Sequence, residues 1–293
     1  MAVVNTNISA SISQASLAKN ERALSKAMEQ LSTGKKINTA ADDAAGLAIS
    51  TRMSTQIIGL EQSVQNASDA ISMINTAEGA LDEVTNLLQR MRVLALQASN
   101  GTTGVEDRSY LNKEYQALYA EIDRIATNSE WNGRTILDNK ANGSSSSLVS
   151  FQVGMDAGQT MSVDFGNFTT VAGSGSFADF ASAGATAGTI SGTTTASAQA
   201  KASAVIASID TALTAISNQR ASFGAASNRL THAIDNLTNV TINATDSRSR
   251  MMDTDYAAAT SELARTQIIN QASTAMLAQA NQLPQSVLTL LQN

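Results

Sequence analysis

The sequence predicts a mainly α protein: a long antiparallel coiled-coil-like helical bundle with one small β-hairpin and with its N- and C-terminal segments paired. Three observations carry this. Apolar residues recur at 3-4 spacing in four separate segments, the mark of a single stripe along a helix. A lone proline, Pro284, removes the commonest interruption of helices, so very long ones are allowed. Aromatic residues make up 4% of the chain and none precedes Tyr110 or follows Tyr256, so both ends pack with Leu, Ile, Val, Met and Ala, which suits close helix-on-helix seams.

Near the N-terminus Leu17, Leu24 and Leu31 stand seven apart. A turn signal at Gly34 follows. Asn38 or Thr39 is the expected N-cap of the next helix, with Asp42 and Asp43 favourably placed in its first turn. The second stripe runs Ile57, Leu60, Val64, Ala67, Ile71, Ile74 and, past polar Glu78, Leu81, Leu88, Met91 and Ala95. A shorter helix carries Leu111, Tyr115, Leu118, Ile122 and Ile125.

After Trp131-Asn132-Gly133 the helical period stops. SLVSFQVG and QTMSVDF then alternate like two strands about Asp156-Ala157-Gly158, which predicts a hairpin over about 147–166. Residues 171–198 are rich in Gly, Ala, Ser and Thr, hold no Lys or Arg, and show no stripe, so a flexible outer loop is expected, with hydroxyls suited to glycosylation.

The most regular stripe comes next: Val205, Ile209, Ala212, Ile216, Phe223, Ala226, Leu230, Ala233, Leu237, Val240 and Ala244, with Gln219 its one polar member. A helix over this stretch is about 60 Å long at 1.5 Å per residue. The C-terminus repeats the pattern with Ile269, Ser273, Met276, Ala280, Leu283, Val287 and Leu290. The chain therefore runs out from its termini and returns, and the expected organisation is a terminal helical domain of 1–43 plus 253–293, a helical rod of 44–170 plus 199–252 with its hairpin, and the outer loop 171–198.

Charged residues are 15% of the chain, well below the roughly 25% of an average soluble protein, and Asn, Gln, Ser and Thr take their place. Uncharged polar faces are buried against copies of themselves without stranding a charge, which points to assembly. The net charge of −6 and a pI near 4.8, with no basic cluster, argue against nucleic acid as a partner. Zero cysteines exclude disulfides, thiolate metal sites and cysteine nucleophiles.

No HExxH, GxSxG or GxxxxGK[ST] signature occurs, and Gly173-Ser174-Gly175 lacks the third glycine of a dinucleotide loop. The single histidine, His232, lies mid-helix and reads as a surface or seam residue. Asp42-Asp43 and Asp253 with Asp255 fall beside helix boundaries, where capping is the expected role. No cofactor, metal or catalytic residue is expected. MAVVNTNISASISQ has neither the basic n-region nor the apolar h-region of a secretory signal, and no stretch is apolar enough to insert in a membrane.

The string LSTGKKINTAADDAAGLAIS at residues 31–50 resembles the N-terminal signature of bacterial flagellins. The likeness continues through TAEGALDEVTNLLQRMRVLALQASNG, EIDRIATNSEWNGRTIL and FQVGMDAGQTM. It returns in SRSRMMDTDYAAATSELARTQIINQASTAMLAQANQLPQSVLTLL, so that it covers nearly all of the chain except 171–198.

The resemblance implies a non-enzymatic subunit of the flagellar filament, with terminal helices forming an inner tube around the export channel and a rod of long helices around it. Its ends, disordered in the free monomer, would fold on joining the polymer. Unpartnered amphipathic helices behave so, and Leu17, Leu24, Leu31, Ile269, Met276, Leu283 and Leu290 are the residues expected to pack between subunits.

The resemblance also implies export through the flagellar type III channel without a cleaved signal peptide, an extracellular location, a chaperone on the C-terminal helix, and contact with filament-cap and hook-junction proteins. An animal Toll-like receptor reads rod helices of many flagellins, and the matching positions here are Gln89, Arg90, Leu94 and Glu114; Val93 departs from an often acidic position. The competing readings are a hook-filament junction protein or another secreted coiled-coil protein. The full SRSRMMDTDYA and AQANQLPQSVL strings favour the filament subunit.

Overall fold

The computed structural model describes residues 7–143, 146–169, 189–192 and 194–291, with side chains as far as Gln282. The described elements, in order, are α1 (Ile8–Thr33), α2 (Ala44–Ser99), α3 (Val105–Asn128), β1 (Glu130–Trp131), β2 (Arg134–Thr135), β3 (Leu148–Gln152), β4 (Thr160–Asp164), α4 (Thr195–Met252) and α5 (Tyr256–Leu291). This is the expected mainly α architecture, and each expected helix is longer than its stripe.

The chain divides into two compact units, residues 1–57 with 242–293 and residues 58–241. The boundaries fall beyond those read from sequence at 43/44 and 252/253, because residues flanking the linkers pack with the terminal unit. Ile37 and Ile57 are buried there, and Arg248 Nη1 donates to Ser54 Oγ at 3.2 Å.

In the larger unit one continuous core joins α2, α3, α4 and the hairpin. Leu81, Leu88 and Met91 of α2, Tyr115 and Ile122 of α3, and Ile209, Ile216 and Phe223 of α4 are all fully buried in it. Phe165, just past β4, sets its ring 5.4 Å from that of Phe223 at an interplanar angle of 51°, a tilted aromatic pair. The polar interruptions of the stripes are functional: Gln219 Nε2 donates to Asp164 O at 2.6 Å and so ties α4 to the hairpin. Glu78 faces Arg220, which also meets Asp82 at 3.2 Å. Burial along α4 fades past Leu230, and Val240, expected in the stripe, is exposed.

The β3–β4 hairpin is antiparallel with Phe151 opposite Met161 and Val149 opposite Val163, within the expected range. A second, two-residue hairpin pairs Trp131 with Arg134 across Asn132 (φ 50°) and Gly133 (φ 75°). Positive φ at both central residues is what an Asn-Gly turn supplies; in the sequence the dipeptide marks only the point where the helical period stops.

The N-cap of α2 is Asp43, not Asn38 or Thr39. Asp43 Oδ1 accepts from Gly46 N at 2.9 Å. Asp42 instead closes the preceding turn, accepting from the backbone N–H groups of Asn38 and Thr39 and from the Thr39 hydroxyl. The expected loop 171–198 lies mostly outside the described residues; residues 189–192 and 194–198 of it are described. Ile190 is fully buried and its N–H donates to Asn112 Oδ1 at 3.0 Å, and α4 already begins at Thr195.

Many helical Ser and Thr hydroxyls donate to the carbonyl four residues back, as at Thr51, Thr55, Ser68, Ser72, Thr211, Thr214 and Ser217. These surface hydroxyls therefore spend their proton on their own helix.

Candidate polymerisation interface

In the terminal unit α1 and α5 lie antiparallel along most of the length of α1. On α1 the inward positions are Ala10, Ser13, Leu17, Asn20, Leu24, Ala27 and Leu31, an unbroken 3-4 series in which Asn20 and Ala27 are buried and the leucines half-buried. Leu17, Leu24 and Leu31 thus face the chain's own α5.

On α5 the seam runs through Ala259, Leu263, Thr266, Ser273, Leu277 and Ala280. Ile269 and Met276, expected from the sequence to pack between subunits, point out of this intrachain seam: they are 40% and 63% exposed, beside Ile268 at 66%. Ser273 and Ala280 of the stripe read from sequence lie in the seam, and Leu277, one position past Met276, is half-buried with them. Leu283 and Leu290 lie where side chains are not described. Ile8, Ile12 and Met28 of α1 are also exposed.

The seam carries two side-chain clamps absent from the sequence reading. Asn20 Nδ2 donates to Thr266 O at 2.7 Å and Asn7 Nδ2 donates to Ala280 O at 2.8 Å. The only sequence signal for Asn20 is that it occupies an inward position in the leucine series.

The linkers on either side are bonded together through their backbones: Lys36 N donates to Met252 O and Thr254 N to Gly34 O, so that Lys35 and Asp253 face each other in an isolated antiparallel β-bridge. Gly34 adopts φ 69°, and a Cβ there would meet the Tyr256 hydroxyl at 2.9 Å. Asp255 caps α5 through Ala257 N at 2.9 Å. Lys26 Nζ sits 2.7 Å from Asp42 Oδ1, and this ammonium, followed by the Thr39 N–H, holds the Asp42 carboxyl well below the usual carboxylate range.

Of the positions matched to receptor recognition, Gln89 and Arg90 on α2 and Glu114 on α3 are exposed, and Arg90 Nε donates to Glu114 Oε1 at 2.8 Å. Leu94 is 1% exposed and belongs to the core, so the structure does not bring it to the surface with the other three. Val93 beside it is exposed. His232 is exposed.

A buried cation unread in the sequence, Arg108, closes the α2–α3 turn. Its Nε donates to Ala98 O at 2.8 Å and its Nη2 to Asn100 O at 2.9 Å. Among the described residues no group of three or more His, Asp or Glu side chains could hold a metal ion, and no helix is long and apolar enough to cross a membrane.

Residues 4–142 match the bacterial flagellin N-terminal helical region and residues 206–291 the bacterial flagellin C-terminal helical region. The chain belongs to the bacterial flagellin family. It is 43% identical to a flagellin of Halalkalibacterium halodurans over 99% of each chain. It is 41% identical to a flagellin of Bacillus subtilis over 98% of this chain and 99% of that one. A solved structure described as a flagellar hook-associated protein of Vibrio parahaemolyticus covers 72% of this chain and 100% of its own, with TM-score 0.56 at 16% identity, a likeness of fold alone.

This flagellin is of the short type, a structural subunit and not an enzyme. It self-associates into the extracellular flagellar filament that serves motility.

Proposed function

We propose that the helices α1 and α5 are the polymerising elements of this flagellin and form the inner tube of the filament, with residues 44–170 and 199–252 as the surrounding rod and 171–198 outermost. One observation carries the assignment: α5 has two usable faces. The small-residue face is filled by α1 of the same chain, while Ile268, Ile269 and Met276 remain uncovered on the other. A contiguous exposed apolar strip on a chain built to polymerise is the natural contact for a second copy. Leu17, Leu24 and Leu31 shape the helix pair that presents it, and Leu283 and Leu290 extend α5 beyond it.

The supporting experiment is polymerisation of the purified chain in a precipitating salt, imaged beside variants lacking residues 1–40 or 255–293. Helical tubes from the full chain and none from the truncations support the reading; tubes from either truncation refute it.

Export proceeds through the flagellar type III channel without a cleaved signal peptide, with an export chaperone on α5, and assembly takes place between hook-junction and filament-cap proteins. These partners rest on family resemblance, as does recognition by an animal Toll-like receptor. For the receptor, the Arg90–Glu114 pair with Gln89 supplies the exposed contact, and Leu94 acts through packing beneath it. A receptor reporter assay separates the roles: Arg90→Ala lowers the signal with unchanged thermal stability, whereas Leu94→Ala lowers stability as well.

A further inference from the structure

We infer that Asn7 and Asn20 hold α1 on the small-residue seam of α5 and off its apolar outer face, which they thereby keep free for contact between copies. The inference deepens the proposed role of α1 and α5 and rests on it.

The competition is visible in the residues. The face of α5 that α1 occupies offers Ala259, Thr266, Ser273 and Ala280, with Leu263 and Leu277 only half-buried. The face it leaves uncovered offers Ile268, Ile269 and Met276. On apolar area alone, Leu17, Leu24 and Leu31 gain more from the uncovered face of a neighbouring α5 than from the seam, since the gain scales with the apolar area removed from water. In a polymer, where α5 helices are crowded together, that wrong pairing is always within reach.

The asparagines reverse the preference. Asn20 is 8% exposed and is satisfied by Thr266 O; Asn7 is satisfied by Ala280 O. Small side chains along the seam let the two backbones come close enough for an asparagine amide to reach a carbonyl across it. Against Ile268 and Met276 the carbonyls lie behind large side chains, and the same amides are buried without a partner. A buried polar group that finds its partner in only one arrangement discriminates between arrangements. The two donors and two acceptors also match in spacing, thirteen residues on α1 against fourteen on α5, so both bonds form together in one antiparallel register.

Because the chain has no cysteine, introduced pairs report pairing without background. Ser13→Cys with Ser273→Cys tests the seam, and Ser13→Cys with Ala272→Cys tests the outer face, each in the full-length chain polymerised, oxidised and run denatured without reductant. With both asparagines present the first pair closes within one chain and the second stays reduced. Asn20→Leu and, separately, Asn20→Asp raise interchain dimers from the second pair about tenfold, the factor that one net hydrogen bond represents in a pairing equilibrium.

Unchanged crosslinks in filaments of both variants overturn the inference while leaving the polymerisation reading intact. Failure of the unsubstituted chain to polymerise overturns the latter instead. If a variant does not polymerise, the same oxidation of its soluble chains in the precipitating salt decides: seam closure equal to that of the unsubstituted chain counts against the inference, and dimers through Ala272→Cys count for it.

Discussion

Replacing Arg108 by Met tests whether the buried guanidinium organises the end of α2. Ala98 lies in the last turn of that helix, where carbonyls have no intrahelical donor, and Asn100 O is held in the turn that follows. Arg108 bonds both, and its positive charge sits at the negative end of the α2 dipole. Met fills a similar volume but leaves both carbonyls without this donor. Two hydrogen bonds from a charged group contribute about 1.5–3 kcal/mol each, and against this stands the cost of burying a cation whose Nη1 has no partner, about 1–3 kcal/mol. The net expectation is a loss of about 2–3 kcal/mol. For a unit the size of residues 58–241, each kcal/mol moves Tm by about 2–4 °C, so Tm falls by about 4–12 °C. The assay is thermal unfolding of the monomer followed by helical circular dichroism, with Arg108→Lys as a second variant that keeps the charge and loses the fork. An Arg108→Met protein as stable as the parent, or more so, would show that the charge costs as much as its bonds return and refute this account.

Phe223→Ala empties the centre of the larger unit beneath Phe165 and costs about 3–5 kcal/mol, checked by urea unfolding. Acid acts on the terminal unit through Asp42. Its carboxyl is depressed below the ordinary 3.8, so its stabilisation is complete above that value and is lost as pH falls through the folded value; Asp42→Asn flattens this dependence in proteolysis of the α1–α2 link between pH 5 and pH 2. Gly34→Ala places a Cβ in a left-handed position against the Tyr256 hydroxyl and destabilises the terminal unit by about 1–2 kcal/mol, whereas Gly133→Ala, with open space around its Cβ, carries only the conformational part; differential scanning calorimetry ranks the two.

The long helices and the hairpin were legible because their signals are periodic. Ile57, Leu60, Ala67 and Ile74 are buried where a 3-4 stripe places them, and Val149 and Val163 where alternation does. What escaped was decided by contacts distant in sequence. Ile269 and Met276 complete a stripe as well as Ser273 does, and only the presence of α1 on the neighbouring face shows which side of α5 is inside. Arg108 looks like any helical surface arginine until the turn at residues 99–104 folds its own carbonyls back over it. Of the receptor positions, Leu94 stands one residue from exposed Val93, and a stripe that distinguishes them by about 100° of rotation decides which is available. Asp43 displaced Asn38 and Thr39 as a cap because Asp42 claims their N–H groups for a separate turn.

The helical hydroxyls that bond their own backbone bear on solvent. Water over Thr51, Thr55, Ser68 and Ser72 meets few free proton donors, and with only 15% of residues charged there are few ions to hold it. Stripping that layer as copies come together sacrifices little hydration. Solutes that act by withdrawing water from protein surfaces, such as sulfate, therefore favour the joined state of these helices.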